Sequence, residues 1–160
     1  MKQNRYLLEG CAIDPLLDDE KFLALVIFLY RKGMIDVFVT DLTYNDIDQI
    51  KNEGRCSALR AVISQINPEV AFYPAVLVGG KNKRDRLTLL GNVVTCDEMT
   101  MQLLFRLKSD GRADARQAAA AKMIDATLVT NDQGLISRSL AEGINAITTD
   151  QWRMQLTAMN

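Results

Sequence analysis

Four carboxylates stand where an apolar run meets a helix-forming run: Glu9, Asp46, Asp114 and Asp132. Glu9 ends RYLLE, Asp46 lies early in DLTYNDIDQIKNEG, Asp114 opens DARQAAAAKMI, and Asp132 closes ATLVTND. Carboxylates brought together repel one another unless a cation neutralises them. Oxygen-only ligands, with no imidazole or thiolate among them, favour Mg2+ or Mn2+ over zinc. Such an ion activates water and clamps phosphate oxygens, which suits phosphodiester hydrolysis. The chain has no histidine among its 160 residues. That excludes Ser–His–Asp and Cys–His triads, His-ligated zinc and histidine acid–base catalysis within it. Metal-activated water needs no imidazole base.

The stretch from Asp110 to Asp132 positions two of these acids. An alanine-rich run of strong helix formers predicts a helix with Asp114 at its N-terminal end. ATLVTND predicts a short buried strand with Asp132 just past its C-terminal end. A helix antiparallel to the strand that follows it brings both residues to the carboxyl edge of a sheet, where open α/β sheets bind ligands.

The rest of the chain repeats this alternation. RYLLE (5–9) reads as a first strand. IDPLLDDEKFLALVIFLYRKG reads as one long apolar helix with Gly33 after its end. VFVT (37–40) reads as a second strand, DLTYNDIDQIKNEG as a helix with Ile47 and Ile50 inward, and SALRAVISQI (57–66) as an amphipathic helix stopped by Asn67-Pro68. AVLV and LTLL, separated by GGKNKRDR, read as a hairpin insertion or a mobile loop at about 67–92. NVVT reads as another strand of the sheet, and Asp97 as the N-cap of the helix after it. QGLISRSLAEG is a helix closed by Gly143, INAITT a last strand, and DQWRMQLTAM a closing helix N-capped by Asp150. The expected architecture is a single domain spanning 1–160, a three-layer α/β/α sandwich with a mostly parallel central sheet.

Bulk properties narrow the partners. With 48% hydrophobic and 24% charged residues, the chain has the composition of a globular protein rather than a disordered one. A net charge of −1 means that any nucleic-acid affinity must come from a local basic patch. KNKRDR (81–86), with Lys83 and Arg84, is such a patch and fits either an RNA backbone or a solubilising loop tip. The three cysteines match no zinc or CxxC spacing and point to a reducing compartment. FLALVIFLY is too short for a membrane span, and the N-terminus lacks a long apolar signal region. A cytoplasmic protein is expected.

Each acid also has a purely structural reading. Asp114 fits an N-cap, Asp46 a first-turn partner of the helix dipole, and Asp132 a turn. Their joint placement on one edge favours a shared acidic site. Thr130 and Asn131 fit either contact with a water or phosphate at that site or a turn. Arg112 and Arg116 can meet phosphates there or pair with the acids. Asp18, Asp19 and Glu20 read as a solvated helix face, Asp48 as a surface residue, and Trp152 and Met154 as packing residues. Glycines 79 and 80 lack the spacing of a phosphate loop.

These pieces resemble the PIN domains, a family of metal-dependent ribonucleases that includes many toxins of bacterial toxin–antitoxin pairs. YLLEGCAID is similar to the family's opening strand, TDLTYNDI to the segment supplying its second acid, DARQAAAAKMIDATLVTND to its central helix and strand, and AITTDQW to its closing strand and turn. The resemblance covers most of the chain outside 67–92. It departs from the family in having Glu9 for the usual aspartate, Asp46 for the usual glutamate, and Gly10 and Cys11 where hydroxyl or amide residues usually follow. It implies an RNA-cleaving endonuclease that holds Mg2+ or Mn2+ on Glu9, Asp46, Asp114 and Asp132; beside it, the residues themselves offer Thr130, Asn131, Arg112, Arg116, Lys83 and Arg84 as substrate contacts. It also implies a small antitoxin partner and a homodimer. Two other classes stand beside it: a PIN-like binding or scaffold module without catalysis, and a small-molecule phosphohydrolase of another α/β fold. The latter lacks a nucleophilic DxD after the first strand.

Overall fold

The computed structural model describes residues 4–75, 93–95, 98–107 and 112–160. Five parallel strands form the central sheet: β1 (Asn4–Leu8), β2 (Ile35–Val39), β3 (Glu69–Val70), β6 (Thr127–Val129) and β7 (Ala146–Ile147). Their order is β3-β2-β1-β6-β7, so β1 lies at the centre between β2 and β6. A second, two-stranded parallel sheet pairs β4 (Tyr73–Ala75) with β5 (Val93–Thr95). The helices are α1 (Asp14–Asp18), α2 (Glu20–Arg31), α3 (Asp41–Asp48), α4 (Glu53–Ile66), α5 (Glu98–Leu107), α6 (Arg112–Met123), α7 (Gln133–Ala141) and α8 (Thr149–Thr157). The α/β architecture with a parallel central sheet agrees with the sequence.

Alternation along β1 builds two cores. Tyr6 and Leu8 point into a cluster with Val26, Leu29, Val37, Val39, Val62, Val129 and Trp152, packed by α1, α2, α4 and α8. Leu7 points the opposite way, to Leu128, Leu103, Leu107, Leu135 and the alanines of α6. A strand buried on both faces requires a continuous apolar run rather than alternation with polar residues, which is what RYLL and VFV supply. Ala115, Ala118, Ala119, Ala120 and Ala121 are all buried, so small side chains let α6 lie close against the sheet while leucines of α5 and α7 fill the flanks.

Helix ends follow local chemistry. Gly33 and Gly143 take positive φ just beyond α2 and α7, and Asn67 adopts the left-handed conformation that ends α4. Asn52 caps α4 by accepting from the Arg55 N–H at 2.9 Å.

Several expectations are revised. The first long helix is two: Asp19 breaks it and N-caps α2, accepting from the N–H groups of Lys21 and Phe22. Asp19 also pairs with Arg153 at 2.6 Å, so it is a structural residue rather than part of a solvated face. Thr148, not Asp150, caps α8, in a reciprocal box with Gln151. The strand at 93–95 joins β4 rather than the central sheet. Trp152 is fully buried, but Met154 is 73% exposed and does not pack. The AVLV and LTLL runs beyond residue 75, the basic segment with Lys83 and Arg84, and the proposed cap Asp97 lie outside the described residues. Among those described, no helix is long and apolar enough to cross a membrane.

Candidate functional site

The carboxyl ends of β1, β2 and β6 and the N-terminal turns of α6 and α7 meet at one edge of the sheet. Parallel pairing puts Leu8 beside Val129, so Glu9 and Thr130 leave the sheet together, and the Glu9 N–H donates to the Val129 carbonyl at 3.1 Å. Glu9 is only 8% exposed. Burial pushes its carboxyl above the usual carboxylate range, against hydrogen bonds from Thr130 and Cys11 that lower it, and the negative charges of Asp114 and Asp132 raise it further. The Asp114 carboxyl, in the first turn of α6, is raised by burial and by Asp132, while Arg138 and a hydrogen bond with Glu9 act the other way. Asp46, past the first turn of α3, is pushed up to about 6 by burial, then by Glu9 and Asp114. Glu9 and Asp114 therefore lie within electrostatic range of both Asp46 and Asp132 on one edge.

Their second contacts explain how each is held. Thr130 is fully buried; its hydroxyl donates to Glu9 Oε2 and accepts the Asp132 N–H at 3.1 Å. Cys11 Sγ also donates to Glu9 Oε2, at 3.3 Å, and accepts the Asn131 N–H at 3.3 Å. Burial, then the Glu9 charge, drives the Cys11 thiol up to about 11, so at neutral pH it is a protonated donor rather than a thiolate. Asp132 N-caps α7, its Oδ1 accepting from the Leu135 N–H at 2.9 Å. Asn131 Oδ1 accepts both the N–H and the hydroxyl of Thr149, at 3.1 and 3.0 Å, which ties the turn after β6 to the start of α8. Thr130 and Asn131 are thus engaged in orienting the edge. Arg116 is half-buried beside Tyr73, and Arg138 anchors α7 to α5 through the Leu107 carbonyl at 2.8 Å. Asp14 is bound to Arg55 at 2.5 Å, and Asp48 to Arg60 at 2.5 Å.

Two neighbours have no site role in the sequence reading. Gln117, buried within the alanine helix, donates to Asp46, and Gly10 leaves the space into which Asp46 packs. A glutamine among alanines reads as an ordinary helix former, and Gly10 stands out only as a departure from the family's opening motif.

The donor set, four carboxylates without imidazole or thiolate, fits a hard divalent cation: every group whose charge is penalised here would be relieved by one. Among the described residues, no group of three or more Cys, Asp and Glu side chains is arranged to hold a metal ion as it stands. Protein donors already engage part of the site. Both bonds to Glu9 fall on Oε2, and the α7 cap falls on Asp132 Oδ1.

No family model matches this chain, and no curated protein matches it in sequence. Solved structures do. PAE2754 from Pyrobaculum aerophilum aligns with 97% of this chain and 96% of its own at 17% identity, with a TM-score of 0.60. VapBC2 from Rickettsia felis, solved bound to a DNA fragment from its promoter, aligns with 90% of this chain and 98% of its own at 12% identity, with a TM-score of 0.52. VapBC-1 from nontypeable Haemophilus influenzae aligns over 91% and 98% at 13% identity, with a TM-score of 0.50. The fold is that of the PIN domains. It is shared with toxin–antitoxin structures.

Proposed function

We propose that the chain is a Mg2+- or Mn2+-dependent endoribonuclease of PIN type, with Glu9, Asp46, Asp114 and Asp132 as the residues that hold the ion. The observation that carries this reading is the electrostatic contact of Glu9 and Asp114 with Asp46 and Asp132, with Glu9, Asp46 and Asp114 raised by burial and by neighbouring acids, at the carboxyl edge of a parallel sheet. Burial disfavours the charged forms of these acids, a cost that a bound cation would offset. When bound, the ion supplies Lewis acidity to a phosphodiester and to the water that attacks it. The chain's own contribution is placement. Thr130 and Cys11 orient Glu9, and the α7 N-terminus orients Asp132. Arg112 and Arg116 on α6, with Lys83 and Arg84 on the basic segment, are proposed to meet the RNA backbone.

The VapBC neighbours are toxin–antitoxin assemblies, which supports a toxin role with a small antitoxin partner; a homodimer remains part of the same proposal. A metal titration followed by heat denaturation tests the site. Millimolar Mn2+ is expected to raise the midpoint of the wild type and to leave that of Asp114→Asn in place. Equal midpoints with and without Mn2+ in the wild type would end the nuclease reading. They would favour the second one, a binding or scaffold module, which draws on the internal satisfaction of Glu9 and Asp132.

A further inference from the structure

Asp46 is held from two sides by residues that carry no charge. On one side stands Gly10, where an added β-carbon would lie 2.8 Å from Asp46 Cβ and 3.1 Å from Asp46 Oδ2. Gly10 is not among the glycines at positive φ, so its backbone does not require glycine; the space does. On the other side Gln117, wholly buried, aims Nε2 at the same Oδ2 from 3.5 Å. The far end of that amide is fixed. Gln117 Oε1 accepts from the Thr40 hydroxyl at 3.4 Å and lies 3.3 Å from Thr43 Oγ1. Thr43 Oγ1 in turn donates to the Leu8 carbonyl at 2.9 Å and accepts the Thr40 N–H at 3.3 Å.

A polar chain therefore runs from the carboxyl ends of β1 and β2, through two buried threonines, to an amide on α6 and back to α3. Turning the Gln117 amide over would set its oxygen against a carboxylate oxygen. A buried polar group left unpaired is destabilising, so the network holds the amide in one sense. The shape of the other wall matters equally. An aspartate reaches one methylene less far than a glutamate, and the missing β-carbon at Gly10 lets α3 lie close against the end of β1.

We infer that Gly10 and Gln117 form a socket that positions Asp46, and that this socket lets an aspartate on α3 serve in the acidic site. Both act through Asp46 and are positioning residues. The consequence for metal rests on the nuclease reading; the socket itself does not.

Two measurements separate them. In the metal-free protein, the Gln117 side-chain amide is followed by 1H–15N spectroscopy. Its resonance pair is expected to shift in Asp46→Ala and in Gly10→Ala; a pair unmoved by Asp46→Ala overturns the socket. Mn2+ is then titrated calorimetrically into the wild type, Gln117→Met, Asp46→Ala and the double variant. Loss of the Gln117 amide is expected to weaken Mn2+ binding roughly 10–100-fold, the range for an outer partner of a metal ligand, and to add nothing once Asp46 is gone. Equal losses in both backgrounds would mean a general structural role and would overturn the inference. A wild type that takes up no Mn2+ would remove the nuclease reading, and the amide spectra would still decide the socket.

Discussion

Asp46 shows what burial does to a single acid in this protein. Its carboxyl is raised from 3.8 to about 6 by burial, then by Glu9 and Asp114. A folded-state value above the unfolded one means that the folded chain binds the proton more tightly. The metal-free protein should therefore lose stability as pH rises from about 4 through about 6, with the penalty complete above that window. Asp46→Asn should flatten the profile there. Urea melts at stepped pH values read this directly, and a wild-type curve that climbs across the window at the same slope as the variant would contradict it. None of this was legible in the sequence, where Asp46 reads equally well as a first-turn acid complementing a helix dipole. Its contacts with Gly10 and Gln117 cross between separate elements, and no local pattern reports them.

Among the elements, α6 and α2 show opposite kinds of legibility. The alanine run of α6 was visible as a helix, and the structure adds the reason for its composition: Ala118 to Ala121 are buried against the sheet. Ala119→Leu should overpack that face and cost about 1–3 kcal/mol in chemical denaturation; a neutral result would mean that α6 stands further off than described. In α2 the apolar pattern hid a break. Asp18, Asp19 and Glu20 look like one polar turn, yet Asp19 accepts two N–H bonds and ends one helix while starting another. Removing that cap by Asp19→Ala should destabilise the protein, seen as a lower denaturation midpoint; no change would leave the cap without energetic weight. The short strands were the least legible elements. β3 has two residues and no pattern of its own, and β5 is apolar enough to suit any sheet. Its pairing with β4 is a tertiary fact.

At the scale of the whole molecule, the alternation of helix and strand already implied a parallel sheet with one functional edge. The order β3-β2-β1-β6-β7 brings the ends of β1, β2 and β6 together there. Asp114 and Asp132 were readable because a helix and the strand after it share that edge by geometry alone. Glu9 and Asp46 joined them only through the sheet order. Structures at 12–17% identity with TM-scores of 0.50 to 0.60 support the same chain path while leaving the chemistry to these residues. That chemistry is tested most directly by incubating single-stranded RNA with the purified wild type and Asp114→Asn, each with Mn2+ and with a chelator. The account predicts internal cleavage by the wild type with Mn2+ alone. It also predicts a loss of at least about a hundredfold in Asp114→Asn, the upper end of what even an outer-shell partner costs. Cleavage that persists in the chelator, or that Asp114→Asn retains at the wild-type rate, would contradict it.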